Sequence, residues 1–284
     1  MSVPKAKFFM FGESFDGNDA LNGSYTMNQE VDSTFYFSQK FTVFDGVFKS
    51  ANGKTQDIAD QFARKQMDYA TTPNDDGIGV PATAAMVNFM DNHDVTRFLF
   101  DKPSTAALQN ALSFLFTEDG IPCIYYGTEQ EFNGGNDPTN RERLWDTGFR
   151  TDGATFQWIQ KLIKIRKLYA PLRRGVMTIK YSTTNTGMEE DAGMIAFERA
   201  DGAHKVLVVI NVSDGKQSET SQAMMGGSDM LTSFAPGDKL VDILASPSDP
   251  TATFTVGLQG ALKVPVAARG ARILVPQADV VPLQ

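Results

Sequence analysis

The sequence predicts an α/β chain in which parallel βα units over residues 1–175 give way to an antiparallel β-sandwich over residues 176–284. Three observations carry that prediction. Short apolar runs at 7–13, 33–37, 86–90 and 121–126 alternate with segments of helical period, the order expected of parallel strands joined by helical crossovers. Two of these runs end abruptly on polar groups, as buried parallel strands do when they present chemistry at their C-terminal tips: Met86-Val87-Asn88-Phe89-Met90 on Asp91-Asn92-His93-Asp94, and the first on Gly12-Glu13. From about Val176 the helical period disappears, and β-type runs separated by turn residues take over.

Taken in order, Lys7-Phe8-Phe9-Met10-Phe11-Gly12-Glu13 reads as a strand buried on both faces, with Phe8, Phe9 and Phe11 in the core and Glu13 at its tip. A weaker strand is expected at 33–37. Helical segments follow at 41–48 and 56–69, the second with Ile58, Phe62 and Met67 near helical spacing. Ser104 is the expected N-cap of a helix whose Leu108, Ala111, Leu112 and Leu115 fall at i, i+3, i+4 and i+7, with Gly120 as its stop. Residues 121–126 form the next buried strand, in which Cys123 is a small buried side chain. A second amphipathic helix is expected over 156–169, closed by Pro171, with Trp158 in the core. Further on, runs at 194–199 and 205–212 flank Asp201-Gly202, a hairpin signal, and strands are expected at 239–244, 251–256, 262–267 and 271–275.

At 284 residues and 42% hydrophobic content the chain can fill a sizeable core. A net charge of −8 and a pI near 4.9 give no basic footprint for nucleic acid, and no Lys- and Arg-rich amphipathic stretch suits a membrane surface. No apolar run reaches the ~20 residues of a bilayer span, and the first residues lack the apolar centre of a signal peptide. The compartment stays open. The single Cys123 excludes an internal disulfide and a cysteine-based metal site, and no metal-binding set is expected in this chain.

Two strand-tip carboxylates, Glu13 and Asp94, with His93 beside one of them, suit cleavage of a glycosidic bond. One group must hold a proton for the leaving oxygen while another stays ionised to stabilise an oxocarbenium-like state. The same residues have plainer readings. An Asn-His-Asp cluster also suits a solvated turn, Glu13 a rim carboxylate, Asp137 and Arg141 a surface ion pair, and Tyr126 either packing or ligand contact. His204, Glu129 and Glu131 are expected on solvated surface.

Phe11-Gly12-Glu13 resembles the fifth-strand motif of the α-amylase family of glycosidases (glycoside hydrolase family 13), and Phe89-Met90-Asp91-Asn92-His93-Asp94 resembles its seventh-strand motif. Gly120-Ile121-Pro122-Cys123-Ile124-Tyr125-Tyr126-Gly127-Thr128-Glu129 is similar to the eighth-strand motif, and Asn136-Asp137-Pro138-Thr139-Asn140-Arg141 to the glucan-binding loop after it. Val208-Val209-Ile210-Asn211-Val212-Ser213 resembles a strand of the family's C-terminal β domain. The motifs follow the family's order.

The resemblance implies the second half, strands 5–8, of a TIM (β/α)8 barrel followed by the β-sandwich, and retaining hydrolysis or transfer at α-glucosidic bonds. It implies Glu13 as general acid/base, Asp94 as transition-state stabiliser, and His93, Asn92 and Tyr126 as sugar contacts. Asp137 and Arg141 would hold a more distant glucose unit. No cofactor is implied for this chain, because the family's usual calcium belongs to the N-terminal half. The chain begins 12 residues before Glu13, so the family's nucleophile, an Asp after the fourth strand, falls outside it. The expectation is therefore a fragment of a glycosidase that meets an α-glucan or maltooligosaccharide and is completed by a separate N-terminal half-barrel or by self-association. The other reading is a non-catalytic glucan-binding or interaction module.

Overall fold

The computed structural model describes residues 8–50, 54–245 and 252–282. Its first part is an arc of four short parallel strands, β1 (Phe11–Gly12), β2 (Ser33–Thr34), β3 (Val87–Phe89) and β4 (Ile121–Cys123). β1 pairs with β2, Phe35 bridges to Val87, and β3 pairs with β4. Among the described residues no strand closes the arc, so β1 and β4 are its edges. This corrects the reading of both outer strands. Phe8 is 65%, Phe11 43% and Ile121 39% exposed, so the first strand is not doubly buried, Phe8 and Phe11 are not core, and Cys123 is only half-buried. A strand flanked on one side only leaves its free edge and the side chains beside it open, and among the described residues each of these has one neighbour. In the inner strands Thr34, Val87 and Phe89 are buried.

Helices α1 (Asp19–Met27), α2 (Phe37–Gln39), α3 (Gln56–Asp68), α4 (Ala82–Ala85), α5 (Thr105–Thr117), α6 (Ala154–Leu168) and α7 (Ala170–Arg174) connect and follow the strands. α2 runs on into a π-wound segment, Lys40–Lys49, which buries Val43, Phe44, Val47 and Phe48 and ends where the Ser50 N–H donates to Asp45 O. In α3 the buried positions are Ile58, Gln61 and Lys65, whereas Met67 is exposed, because the position seven after Ile58 is Lys65. Asp119, 2.6 Å away, neutralises that buried ammonium. α5 starts as its capping residue predicts: Ser104 Oγ accepts from the Ala107 N–H at 3.2 Å, and Leu108, Ala111, Leu112 and Leu115 are all buried. α6 ends at an extended Tyr169. Pro171 does not close it but sits in the first turn of α7, where its missing N–H breaks no helical bond.

From Val176 the chain forms strands: β5 (Val176–Tyr181), β6 (Met194–Asp201), β7 (His204–Asn211), β8 (Ser218–Glu219), β9 (Met230–Leu231), β10 (Lys239–Asp242), β11 (Thr253–Thr255), β12 (Ala261–Leu262), β13 (Pro265–Val266) and β14 (Ala271–Pro276). Six of them make one antiparallel sheet in the order β11-β10-β14-β7-β6-β5, with β9–β12 and β8–β13 as separate pairs. β6 and β7 form the expected hairpin, with Gly202 at φ +60°, a left-handed conformation that glycine takes without a Cβ penalty.

Alternation along the strands then divides the sheet. Ile195, Phe197, Val208, Ile210 and Ile273 pack with Leu108, Leu112, Phe114, Leu162 and Leu172 from the helices, while Ala196, Leu207, Val209 and Leu274 pack with Met230, Phe234, Leu262 and Val264. The larger core thus crosses residue 175, and the strands beyond it share apolar contacts with α5, α6 and α7. Two arginines reinforce the junction. Arg166 donates to Phe116 O, Glu118 O and Gly120 O, and the fully buried Arg199 to Thr117 O and Gly175 O. Three of these carbonyls, those of Phe116, Thr117 and Glu118, are ones that the end of α5 leaves without helical partners. Trp158 packs half-buried against this core, its indole N–H 3.0 Å from Gln109 O.

Candidate active site

Because β1 to β4 run parallel, the residues just past β1, β3 and β4 emerge on one edge of the arc. Past β3 the chain turns at once. Asn92 Oδ1 accepts from the N–H groups of Asp94 and Val95 at 2.8 and 3.1 Å, an Asx turn that leaves His93 and Asp94 exposed. His93 Nε2 lies 3.3 Å from Asp94 Oδ2. Arg141, from the loop after β4, stands between two carboxylates: its Nε is 2.6 Å from Asp137 Oδ1, and a terminal guanidinium nitrogen is 3.9 Å from Asp94 Oδ1. The Asp137–Pro138 peptide bond in this loop is cis. Four of the residues named from sequence, His93, Asp94, Asp137 and Arg141, therefore form one group, in which Arg141 pairs with Asp137 and His93 lies against Asp94.

The other candidates stand around it. Glu13 is exposed one residue past β1, and no hydrogen bond or ion pair among the described residues holds it. One strand separates β1 from β3, which sets their backbones about 10 Å apart at ordinary strand spacing. Tyr126 donates its hydroxyl proton to Glu142 O at 2.9 Å and keeps a partly exposed ring. Asn92 engages its side-chain oxygen within the turn, so its amide nitrogen is the group left to meet a ligand. Two carboxylates expected on solvated surface are half-buried ties instead. Glu129 accepts from the Gly127 N–H, and Glu131 accepts from the hydroxyls of Thr105 and Thr155 at 2.8 and 2.6 Å, joining α5 to α6. His204 is exposed as expected, 3.6 Å from Asp279.

Two buried residues hold the group in place, and the sequence reading assigned a role to neither. Asn140, fully buried, directs its amide nitrogen at Val95 O, His93 O and Asn92 O, at 2.8, 3.0 and 3.5 Å, and so fastens the loop of Arg141 to the loop of Asp94. Arg97, also fully buried, donates from Nε to Glu142 Oε2 at 3.0 Å and from a terminal nitrogen to Tyr126 O at 2.7 Å, with its guanidinium 4.0 Å from the Tyr125 ring centroid. Beside it Asp91 is buried. Burial raises its pKa above the ordinary carboxylate value, opposed by the hydrogen bond it accepts from the Phe98 N–H and by the charge of Arg97. Arg97 was visible as part of a polar cluster. Asn140 lay in a stretch that reads as turn formers, and no local pattern marks an Asn whose partners lie 45 to 48 positions earlier.

A family model described as the α-amylase catalytic domain matches residues 1–147, more than half of the 284-residue chain. The chain belongs to the α-amylase family. The α-amylase 1 of Schwanniomyces occidentalis is 32% identical to this α-amylase-family chain over 191 residues, covering 66% of it and 34% of that protein. A cyclomaltodextrin glucanotransferase of Bacillus sp. (strain 1011) is 33% identical over 257 residues, 89% of this chain and 31% of that protein. Among solved structures, an α-amylase from Malbranchea cinnamomea superposes with a TM-score of 0.75 at 24% identity, over 97% of this chain and 52% of that one, a likeness of fold. The chain thus spans about a third of the length of these two relatives and about half of that structure.

Proposed function

We propose that this α-amylase-family chain carries one wall of an α-glucan cleft and acts in retaining hydrolysis or transfer at α-glucosidic bonds. On this reading residues 1–175 hold strands 5–8 of a (β/α)8 barrel and residues 176–284 a β-sandwich. The observation that supports it most is Arg141 held between Asp137 and Asp94, with His93 against Asp94, at the edge where parallel strands end. Glu13, exposed at the tip of β1, gives a proton to the leaving oxygen and takes one back from the water or hydroxyl that follows. Asp94, beside His93 and Arg141, stabilises positive charge developing at the anomeric carbon. His93 and the Asn92 amide donate to sugar hydroxyls, Asp137 and Arg141 together offer acceptors and donors to a glucose unit further from the bond, and the Tyr126 ring supplies apolar cover.

The nucleophile must stand about 5–5.5 Å from the acid across the scissile bond. We assign it to polypeptide that completes the arc, on the support of the flanks of β1 and β4, unpaired among the described residues, and of the 31% to 52% share of the matched proteins that this chain spans. Calorimetric titration of the purified chain with maltoheptaose tests the reading. Arg141→Ala is expected to weaken binding by about tenfold or more, the loss of roughly 1.4 kcal/mol, while Glu13→Gln leaves it nearly unchanged. Equal affinity for wild type and Arg141→Ala would remove the basis of the proposal.

A further inference from the structure

Beyond Glu142 the loop makes a 3₁₀ turn, Leu144–Thr147, whose second residue, Trp145, has no part in the arrangement described so far. The indole is 64% exposed. The chain has two tryptophans, and the other, Trp158, behaves as apolar side chains usually do: it packs against the core with its N–H bonded to Gln109 O. Leaving a ring of that size in water forgoes the stabilisation that burial brings.

The turn that presents Trp145 is braced rather than loose. Thr147 Oγ1 donates to Leu144 O at 2.7 Å, and the Gly148 N–H donates to Trp145 O at 3.2 Å with Gly148 at φ +66°. Arg143 Nε pairs with Asp146 Oδ2 at 3.1 Å, so an exposed donor and an exposed acceptor flank the ring. At its start the turn is tied to β4 through Tyr126 Oη and Glu142 O, and Glu142 itself is held by Arg97. Trp145 follows Arg141 by four residues, which limits the separation of their Cα atoms to about 14 Å.

An exposed aromatic face on a braced turn, with hydrogen-bonding groups at its sides, matches a pyranose ring, whose C–H face is apolar and whose rim carries hydroxyls. We propose that Trp145 is a stacking platform for a glucose unit of an α-glucan, one or more units beyond the unit held by Asp137 and Arg141. The platform rests on the reading of that pair as a glucan site. It makes affinity depend on chain length: a short maltooligosaccharide reaches the Asp137–Arg141 pair alone, and a long one reaches both.

The two tryptophans allow a direct test on the purified chain. Maltoheptaose is titrated while calorimetric heat, intrinsic fluorescence and iodide quenching are recorded, for wild type, Trp145→Phe, Trp145→Ala and Arg141→Ala. The expected result is iodide quenching of Trp145 in the free protein and its protection by maltoheptaose. Trp145→Ala should lose about tenfold in maltoheptaose affinity but little for maltotriose, and Trp145→Phe should retain most of it. Maltoheptaose heat in wild type with no change in tryptophan signal, and the same affinity in Trp145→Ala, would overturn the platform and leave the Asp137–Arg141 reading intact. Absence of binding heat in wild type overturns both. Failure of iodide to reach Trp145 in the free chain would show that protein covers the ring and would likewise overturn the platform.

Discussion

Substituting aspartate for Asn140 alters almost no volume and reverses the hydrogen-bonding character of a fully buried side chain. All three neighbours of the amide nitrogen are carbonyl oxygens, which only a donor can satisfy. With two protons to give, Asn140 makes two good bonds, to Val95 O and His93 O, and leaving those carbonyls unpaired costs about 1–3 kcal/mol each. Aspartate adds a second penalty. Ionised, it faces three carbonyl dipoles; protonated at neutral pH, it must hold a proton that an ordinary carboxyl has released. The folded-state pKa of the new group is raised, so the folded form binds a proton that the unfolded chain lacks, and the variant loses stability as pH rises above the unfolded value near 3.9. While the group stays protonated in the fold the slope is about 1.4 kcal/mol per pH unit, or roughly 2.7 kcal/mol between pH 5.5 and 7.5. Urea unfolding of Asn140→Asp, Asn140→Leu and wild type at both pH values measures it. Asn140→Leu, which loses the bonds and adds no charge, should be destabilised by an amount that does not change with pH. A loss under about 1 kcal/mol with no pH dependence in Asn140→Asp would refute the placement of the amide against the Asp94 loop.

Glu118 provides a second pH test. It is buried with one carboxylate oxygen unpartnered, and its pKa is raised by burial first and by Asp119 second, against the pull of Lys65 and Gln39. The folded state therefore binds its proton more tightly than the unfolded chain, and its contribution to stability falls as pH rises above the ordinary carboxylate value. Glu118→Gln should be more stable than wild type at pH 7.5, with the gain shrinking toward pH 4.5; lower stability at pH 7.5 would contradict this. For activity, the 284-residue chain alone is expected to release no measurable reducing sugar from starch, since removing a nucleophile from a catalytic unit costs about six decades in one well-studied protease. Release by wild type that disappears in Glu13→Gln would place the nucleophile within this chain. The edges at β1 and β4, which have no strand partner among the described residues and expose Phe11 and Ile121, should template association. Size exclusion with light scattering is expected to show dimers or larger species, and a sharp monomer peak would show that these edges are protected.

What the sequence determined by itself was whatever its signals encode within a dozen residues. The Ser104 cap and the spacing from Leu108 to Leu115 specified α5, because a cap and one apolar stripe need only neighbouring residues to define them. Asp201-Gly202 specified the β6–β7 hairpin for the same reason, and the abrupt change from apolar to polar at Met90 marked the strand end that carries His93 and Asp94. Tertiary structure decided what depends on partners far along the chain. Lys65 is buried because Asp119 lies 2.6 Å from its ammonium, whereas Met67, two positions on, faces outward. Phe8 and Phe11 read as core by hydrophobicity, yet side chains at a free sheet edge stay open, and among the described residues β1 has β2 on one side alone. Asn140 shows the difference most plainly. Its composition says turn, and its role follows from carbonyls 45 to 48 positions earlier, brought to it only once β3 and β4 have paired and their following loops have met.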